Sequence, residues 1–163
     1  MSTEAFLALG SNVGDRMGYL ELAVRGLADI DPDLRVSPVY ETAPLGGPEG
    51  QDRFLNCVVR LETELDPRQL LEVARGLEEL AGRVRTVRNG PRTLDVDILF
   101  VDDVRVSEPD LVVPHPRMSE RGFVLAPLED LDPSRVPPGW RARLTETDPA
   151  SLDLRPVGRL RAH

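Results

Sequence analysis

The 163-residue chain predicts an α+β sandwich of the split-βαβ type. Three observations carry that expectation. Short apolar runs alternate with helical periodicities in the order strand, helix, strand, strand, helix, strand. Both helices have a recognisable start signal, and the connections between elements are rich in glycine and proline. Aromatic residues make up only 4% of the chain, so the core between sheet and helices must be aliphatic.

Residues 5–9 form an apolar run ending in Gly10-Ser11-Asn12, which reads as a strand entering a tight turn. Asp15 is placed to cap a helix whose Met17, Leu20, Val24 and Leu27 recur at helical spacing. Residues 34–40 read as the second strand. Residues 42–53 carry Pro44, Gly46, Gly47, Pro48 and Gly50, a loop of a length that is often functional in compact domains. The third strand spans 54–61. Asp66-Pro67-Arg68-Gln69 then supplies an N-cap, a proline at the first helical position and a capping-box partner. Leu70, Ala74, Leu77 and Ala81 make the apolar face of that helix, and Gly82 offers a stop. A second loop, 83–93, leads into a fourth strand at 94–101, with the two helices packed on one sheet face.

Residues 104–106 are a candidate hairpin partner, and 123–131 read as a short helix entered through Pro114-His115-Pro116. Beyond Asp132, Pro133, Pro137, Pro138 and Pro149 oppose long regular structure, so 136–163 is expected to be an irregular extension of a single domain.

Composition narrows the function. A net charge of -8 argues against a nucleic-acid or membrane-surface binder. All 20 basic residues are arginine, which excludes a phosphate loop built on lysine. Cys57 stands alone in an apolar run and reads as a buried, inert thiol, so neither a disulfide framework nor a cysteine metal cage is expected. The N-terminus has no basic segment ahead of a long apolar stretch, and the expected compartment is the cytoplasm.

Asp95 and Asp97 lie two apart on the fourth strand, so their carboxylates share a face at a backbone spacing of about 6–7 Å. Val96, Ile98 and Phe100 would point the other way. Two such carboxylates suit one or two Mg²⁺ ions, which take hard oxygen ligands and leave positions for phosphate. A bare Asp-x-Asp is more often a solvated face. Here, however, Arg83, Arg85, Arg88 and Arg92 precede it with no intervening carboxylate, and only Arg83 has a local partner, Glu79. A cationic loop beside two metal-binding carboxylates is what a magnesium-bound triphosphate requires.

His115, held between two prolines near Arg117 and Arg121, is a candidate phosphate donor. Glu78, at the border of its helix's apolar face, is placed to orient an arginine or a ligand hydroxyl, and a solvated carboxylate is an equal reading. Phe54 and Asn56 share a strand face, where a ring and an amide suit a flat heterocycle, although taken alone the pair reads better as a core phenylalanine and a strand-edge asparagine. Gly10-Ser11-Asn12-Val13-Gly14 lacks the spacing of a dinucleotide fingerprint, and a tight turn explains it.

Gly90-Pro91-Arg92-Thr93-Leu94-Asp95-Val96-Asp97-Ile98-Leu99 closely resembles the signature of the 6-hydroxymethyl-7,8-dihydropterin pyrophosphokinase family. Pro114-His115-Pro116-Arg117-Met118, then Arg121-Gly122-Phe123-Val124-Leu125, resembles its second block. Leu9-Gly10-Ser11-Asn12, Glu41-Thr42-Ala43-Pro44-Leu45 and Phe54-Leu55-Asn56 are further matches in order, and the resemblance runs from about residue 4 to 135. It implies transfer of a pyrophosphoryl group from ATP to the hydroxymethyl oxygen of a reduced pterin, releasing AMP, in folate synthesis.

By that resemblance Asp95 and Asp97 hold two Mg²⁺ ions, and Arg83 and Arg92 are catalytic arginines of a moving loop. Arg85, Arg92, His115 and Arg121 contact the ATP phosphates, with Glu78 and Ile98 near the nucleoside. Thr42, Leu45 and Asn56 recognise the pterin, held between Phe54 and Phe123. Asn89 stands where many members have a tryptophan, and Phe54 where some have a tyrosine. The family fold is a three-layer α-β-α sandwich around a ferredoxin-like βαββαβ core, and members commonly act as monomers. A metal-dependent phosphohydrolase and a non-catalytic nucleotide-binding module are the alternatives from other classes.

Overall fold

Strand β1 (Thr3–Ser11) runs through the interior of an antiparallel sheet in a computed structural model that describes residues 2–44, 50–82 and 92–160. It feeds helix α1 (Arg16–Ala28), which begins where the Asp15 carboxylate accepts the Gly18 N–H at 3.0 Å. Two short strands, β2 (Arg35–Val36) and β3 (Val39–Thr42), precede β4 (Phe54–Thr63). Helix α2 (Pro67–Leu80) carries the complete capping box: Asp66 accepts the Gln69 N–H at 2.8 Å, and Gln69 accepts the Asp66 N–H at 3.0 Å. β5 (Asp95–Val101) follows, then a small hairpin of β6 (Val106–Glu108) and β7 (Leu111–Val113). Helices α3 (Gly122–Leu131) and α4 (Trp140–Thr147) and strand β8 (Leu154–Gly158) complete the chain.

The main sheet has the order β5-β1-β4-β3-β8, and each neighbouring pair is antiparallel. β4 therefore splits the β1-α1-β3 unit, and β1 splits the β4-α2-β5 unit, which is the ferredoxin-like βαββαβ core. α1 and α2 cover one sheet face through Leu7, Leu9, Leu20, Val24, Leu70 and Leu77. α3 and α4 cover the other through Phe6, Val58, Leu99, Leu125, Leu128 and Trp140. The α-β-α layering follows, and each of these buried side chains contributes about 1.5–3 kcal/mol relative to exposure. Cys57 is buried, and the apolar surroundings push its thiol up to about 12, as expected of an inert core thiol.

Four local expectations change. The strand expected at 34–40 is broken at Ser37-Pro38, because the Ser37 N–H and hydroxyl both bond the backbone of Val58 and proline has no N–H to donate. Phe6 pairs with Phe100 but Leu7 pairs with Ile98, so Leu99 is an extra residue in a β-bulge. The bulge turns Phe100 away from Val96 and Ile98, and it packs beside Leu99 in the α3 layer. The hairpin forms between 106–108 and 111–113, so of the expected 104–106 only Val106 takes part. The C-terminal stretch expected to be irregular contains α4 and the edge strand β8, paired with β3. Its prolines fall in the turns between these elements and at one strand position, Pro156. No helix among the described residues is long and apolar enough to cross a membrane.

Replacing Asp66 with alanine removes the α2 cap and should lower the unfolding free energy by about 1 kcal/mol. A shifted urea midpoint with an unchanged slope is the expected result; an unchanged midpoint contradicts the capping account.

Candidate active site

On the face toward α3, β1 carries Phe6 and then, at the site end, only Ala8 and Gly10. Gly10 pairs with Asp95 on one side and Asn56 on the other, while Ala8 pairs with Asp97 and Val58. A Cβ on Gly10 would stand 2.9 Å from Asn56 Oδ1 and 3.6 Å from the Phe54 ring, so glycine lets both lean over the strand. The result is a cavity of about 510 Å³ with a low floor. Thr42, Phe54, Asn56 and Phe123 line one part of it, and Arg92, Asp95, Asp97 and Arg121 line another. The Asn56 amide donates to the Thr42 hydroxyl at 2.6 Å, which fixes the amide in place. The Arg121 guanidinium lies 5.7 Å from the centre of the Phe123 ring, and this cation–π contact links the two parts.

Arg92 Nη1 donates to Asp95 Oδ2 at 3.0 Å, so the strand's first carboxylate already balances one arginine. Its backbone is held by Asn12: the Arg92 N–H donates to Asn12 Oδ1 at 2.8 Å, and the Asn12 N–H donates to the Arg92 carbonyl at 3.0 Å. The Asn12 amide also donates to Gln51 Oε1 at 3.1 Å and to the Asp52 carbonyl at 3.2 Å. Asn12 thus ties the end of β1 to the segments entering β4 and β5, a role that the reading of Gly10-Ser11-Asn12 as a plain turn missed. Among the described residues no three His, Cys, Asp or Glu side chains gather as a metal cage. The donor set of Asp95 and Asp97, hard oxygens on a cavity wall, fits a divalent ion that completes its shell with ligand and water oxygens, as Mg²⁺ does.

His115 follows the hairpin, and its N–H donates to the carbonyl of the bulge residue Leu99 at 3.1 Å. Burial pushes its imidazole down to about 4, with Arg121 and Arg117 adding to the shift and Asp95 opposing it. Nδ1 accepts the Arg117 N–H at 3.3 Å, so the neutral ring carries its proton on Nε2. Glu78 is buried and accepts the Val96 N–H at 2.9 Å, on the edge of β5 away from β1. The Ile98 side chain belongs to the core on the α1 and α2 side. Leu45, Arg83, Arg85, Arg88 and Asn89 lie outside the described residues. The cavity wall also includes residues that the motifs did not single out, among them Glu120 and, from α4, Arg143, Leu144 and Thr147.

The model of the 7,8-dihydro-6-hydroxymethylpterin-pyrophosphokinase family matches residues 6–133. The chain belongs to that family. It is 47% identical over 133 residues to the 2-amino-4-hydroxy-6-hydroxymethyldihydropteridine pyrophosphokinase of Bacillus subtilis, covering 80% of this chain and 79% of that one. The Methylorubrum extorquens enzyme of the same name is 44% identical over 156 residues, covering 93% and 98%. The Plasmodium falciparum HPPK-DHPS wild type with SDX-DHP superposes at a TM-score of 0.67 with 17% identity, and this chain spans 48% of that one, a likeness of fold.

The only other histidine is His163, so a two-histidine NMR titration isolates His115. Its ring should titrate near 4, against 6.5 for an ordinary histidine. Between those values the unfolded chain binds more protons, so the contribution of His115 to stability is complete above 6.5 and is lost as pH falls toward 4. An ordinary midpoint would contradict the buried neutral ring.

Proposed function

We propose that the chain transfers the pyrophosphoryl group of ATP to the hydroxymethyl oxygen of 6-hydroxymethyl-7,8-dihydropterin in folate synthesis, releasing AMP, with Mg²⁺ required. One observation carries the reading: a single cavity joins a ring-and-amide subsite to a carboxylate-and-arginine subsite across the side-chain-poor floor of β1. Relatives with pyrophosphokinase names that cover 80% and 93% of the chain support it.

In this reading Phe54 and Phe123 sandwich the pterin, while Asn56, Thr42 and Leu45 read its edge. Arg83, Arg85, Arg92, Arg121 and the Nε2–H of His115 hold the phosphates. Neutral His115 adds a donor without a third positive charge beside Arg117 and Arg121, so it need not be kept protonated against them. Glu78 is engaged with Val96 and acts from the β5 edge. Ile98, whose side chain is in the core, meets the nucleoside through its backbone on that edge. Asp95 and Asp97 would hold two Mg²⁺ ions, which supply charge neutralisation for the triphosphate and polarise the acceptor hydroxyl.

The acceptor oxygen forms a bond to the β-phosphorus as the bond from that phosphorus to the α-bridging oxygen breaks, and AMP leaves with that oxygen. The hydroxyl proton passes to Asp97. Positioning and charge neutralisation are the main sources of rate, since the reactants are a polyanion and a neutral alcohol. The reading includes a single-domain monomer working in the cytoplasm, which sedimentation and fractionation would test.

Incubation with ATP, Mg²⁺ and the pterin alcohol should yield AMP only when the pterin is present. Nucleotide cleavage without pterin would favour a hydrolase, and binding without turnover a regulatory module. Asp97→Ala should abolish turnover while pterin binding changes by less than about threefold; undiminished turnover would sink the carboxylate assignment. Gly10→Ala places a methyl against Asn56 and Phe54 and should raise KM for pterin by roughly tenfold or more, with KM for ATP much less affected.

A further inference from the structure

The family match stops at residue 133, but the cavity does not. Helix α3 carries Phe123 in its first turn and has Arg121 as its N-cap, yet it starts without any side-chain cap bond. An uncapped helix end leaves its first N–H groups unsatisfied and frays unless something outside the helix holds it. Here the C-terminal segment holds α3 at three points, one near its end and two at its start. Trp140 Nε1 donates to Glu129 near the end of α3 at 3.0 Å. The Arg143 guanidinium donates to the carbonyl of Ser119, in the 3-10 turn Met118–Glu120 immediately before Arg121. The carbonyl of Ser151 sits against Gly122, where an added Cβ would be 2.2 Å from that oxygen. Ser151 is itself fixed, its hydroxyl donating to the Asp148 carbonyl at 2.8 Å.

We propose that residues 140–152 form a brace that sets the position of Arg121 and Phe123, with Arg143 as its principal positioning residue. Gly122 stands between the phosphate-side arginine and the ring-side phenylalanine, and any other residue there would push the Ser151 carbonyl away. Arg143 thereby holds the 3-10 turn, and the Ser151 carbonyl closes against the first turn of α3. The consequence for substrates rests on the pyrophosphokinase reading; the brace itself does not.

The test is Arg143→Ala beside Arg143→Lys in the full chain. Arg143→Ala should raise KM for both ATP and pterin roughly fivefold to tenfold with kcat changed less than about twofold, while Arg143→Lys, still able to donate to a carbonyl, recovers most of the loss. The thermal midpoint should move by no more than about 2 °C, and the backbone amides of residues 121–125 should exchange at least about threefold faster in Arg143→Ala, with β1 unchanged. Unchanged exchange at 121–125, or KM values equal to those of the parent chain, overturns the proposal. So does activity that falls only in step with thermal stability. If the parent chain makes no AMP, the pyrophosphokinase reading fails and the exchange result alone decides the brace. Gly122→Ala should give the same pattern more strongly; where it does not fold, the arginine variants decide.

Discussion

Strand β1 pairs with β4 on one side and β5 on the other, and the two halves of the cavity hang from those two neighbours. Asn56 and Phe54 come from β4, Asp95 and Asp97 from β5, and Gly10 lies level with both Asn56 and Asp95. A slip of one residue in either pairing would turn one half of the site into the opposite core. Register is secured where side chains are large: Leu7 and Leu9 are buried on the helix side, and Phe6 on the other. The site's own stretch of β1, Ala8 and Gly10, adds almost nothing to packing. The constraint is therefore divided along one strand, with large residues setting alignment and small ones leaving room.

Charge is organised around the same strand. An acidic chain concentrates Arg92, Arg117, Arg121 and Arg143 around two aspartates. Asp95 meets Arg92 directly, so the carboxylates are not simply mutually repelling groups exposed to solvent. Burial, with Arg121 and Arg117 adding to it, keeps His115 uncharged. A neutral donor at that place costs no further cationic repulsion and remains the same species across the physiological range. The bulge at Leu99 belongs to this arrangement, since its carbonyl receives the His115 N–H and turns the chain that carries the ring.

Helices α1 and α2 were legible because each has a local start signal and an apolar stripe: Asp15 and the Asp66–Gln69 box form the expected bonds, and Leu20, Val24, Leu70, Ala74 and Leu77 are buried. Asp95 and Asp97 were legible as a pair because a strand's period of two is regular up to the bulge. Phe100 was not, because an extra residue in one strand of a pair depends on the partner strand. Helix α4 has only Trp140 and Leu144 buried, too few apolar positions to reveal a period, and prolines on both sides mask it. β8 has little to show as an edge strand, with one half-buried and four exposed positions. Asn12 was read as turn chemistry, since an asparagine after glycine and serine looks alike whether it bonds its own turn or two distant segments.

The parts of the site that escaped the sequence share a physical reason. The carbonyls of Leu99, Arg92, Ser119 and Ser151 are what hold His115, Asn12, Arg143 and the start of α3 in place. Every residue has such a carbonyl, so the identity of the accepting residue carries no signal, and only the donor or the close-approaching glycine does. Asn12, Arg143 and Gly122 are those visible ends. Their residue types are common enough that each alone suggests a turn, a solvated charge or a helix start. Once the main chain facing them is known, Gly122 is required by a carbonyl that a Cβ would displace, and Arg143 meets a carbonyl of the turn that leads into α3. The family model's match ends at residue 133, while the physical site continues through the backbone contacts of α4 and the turn after it.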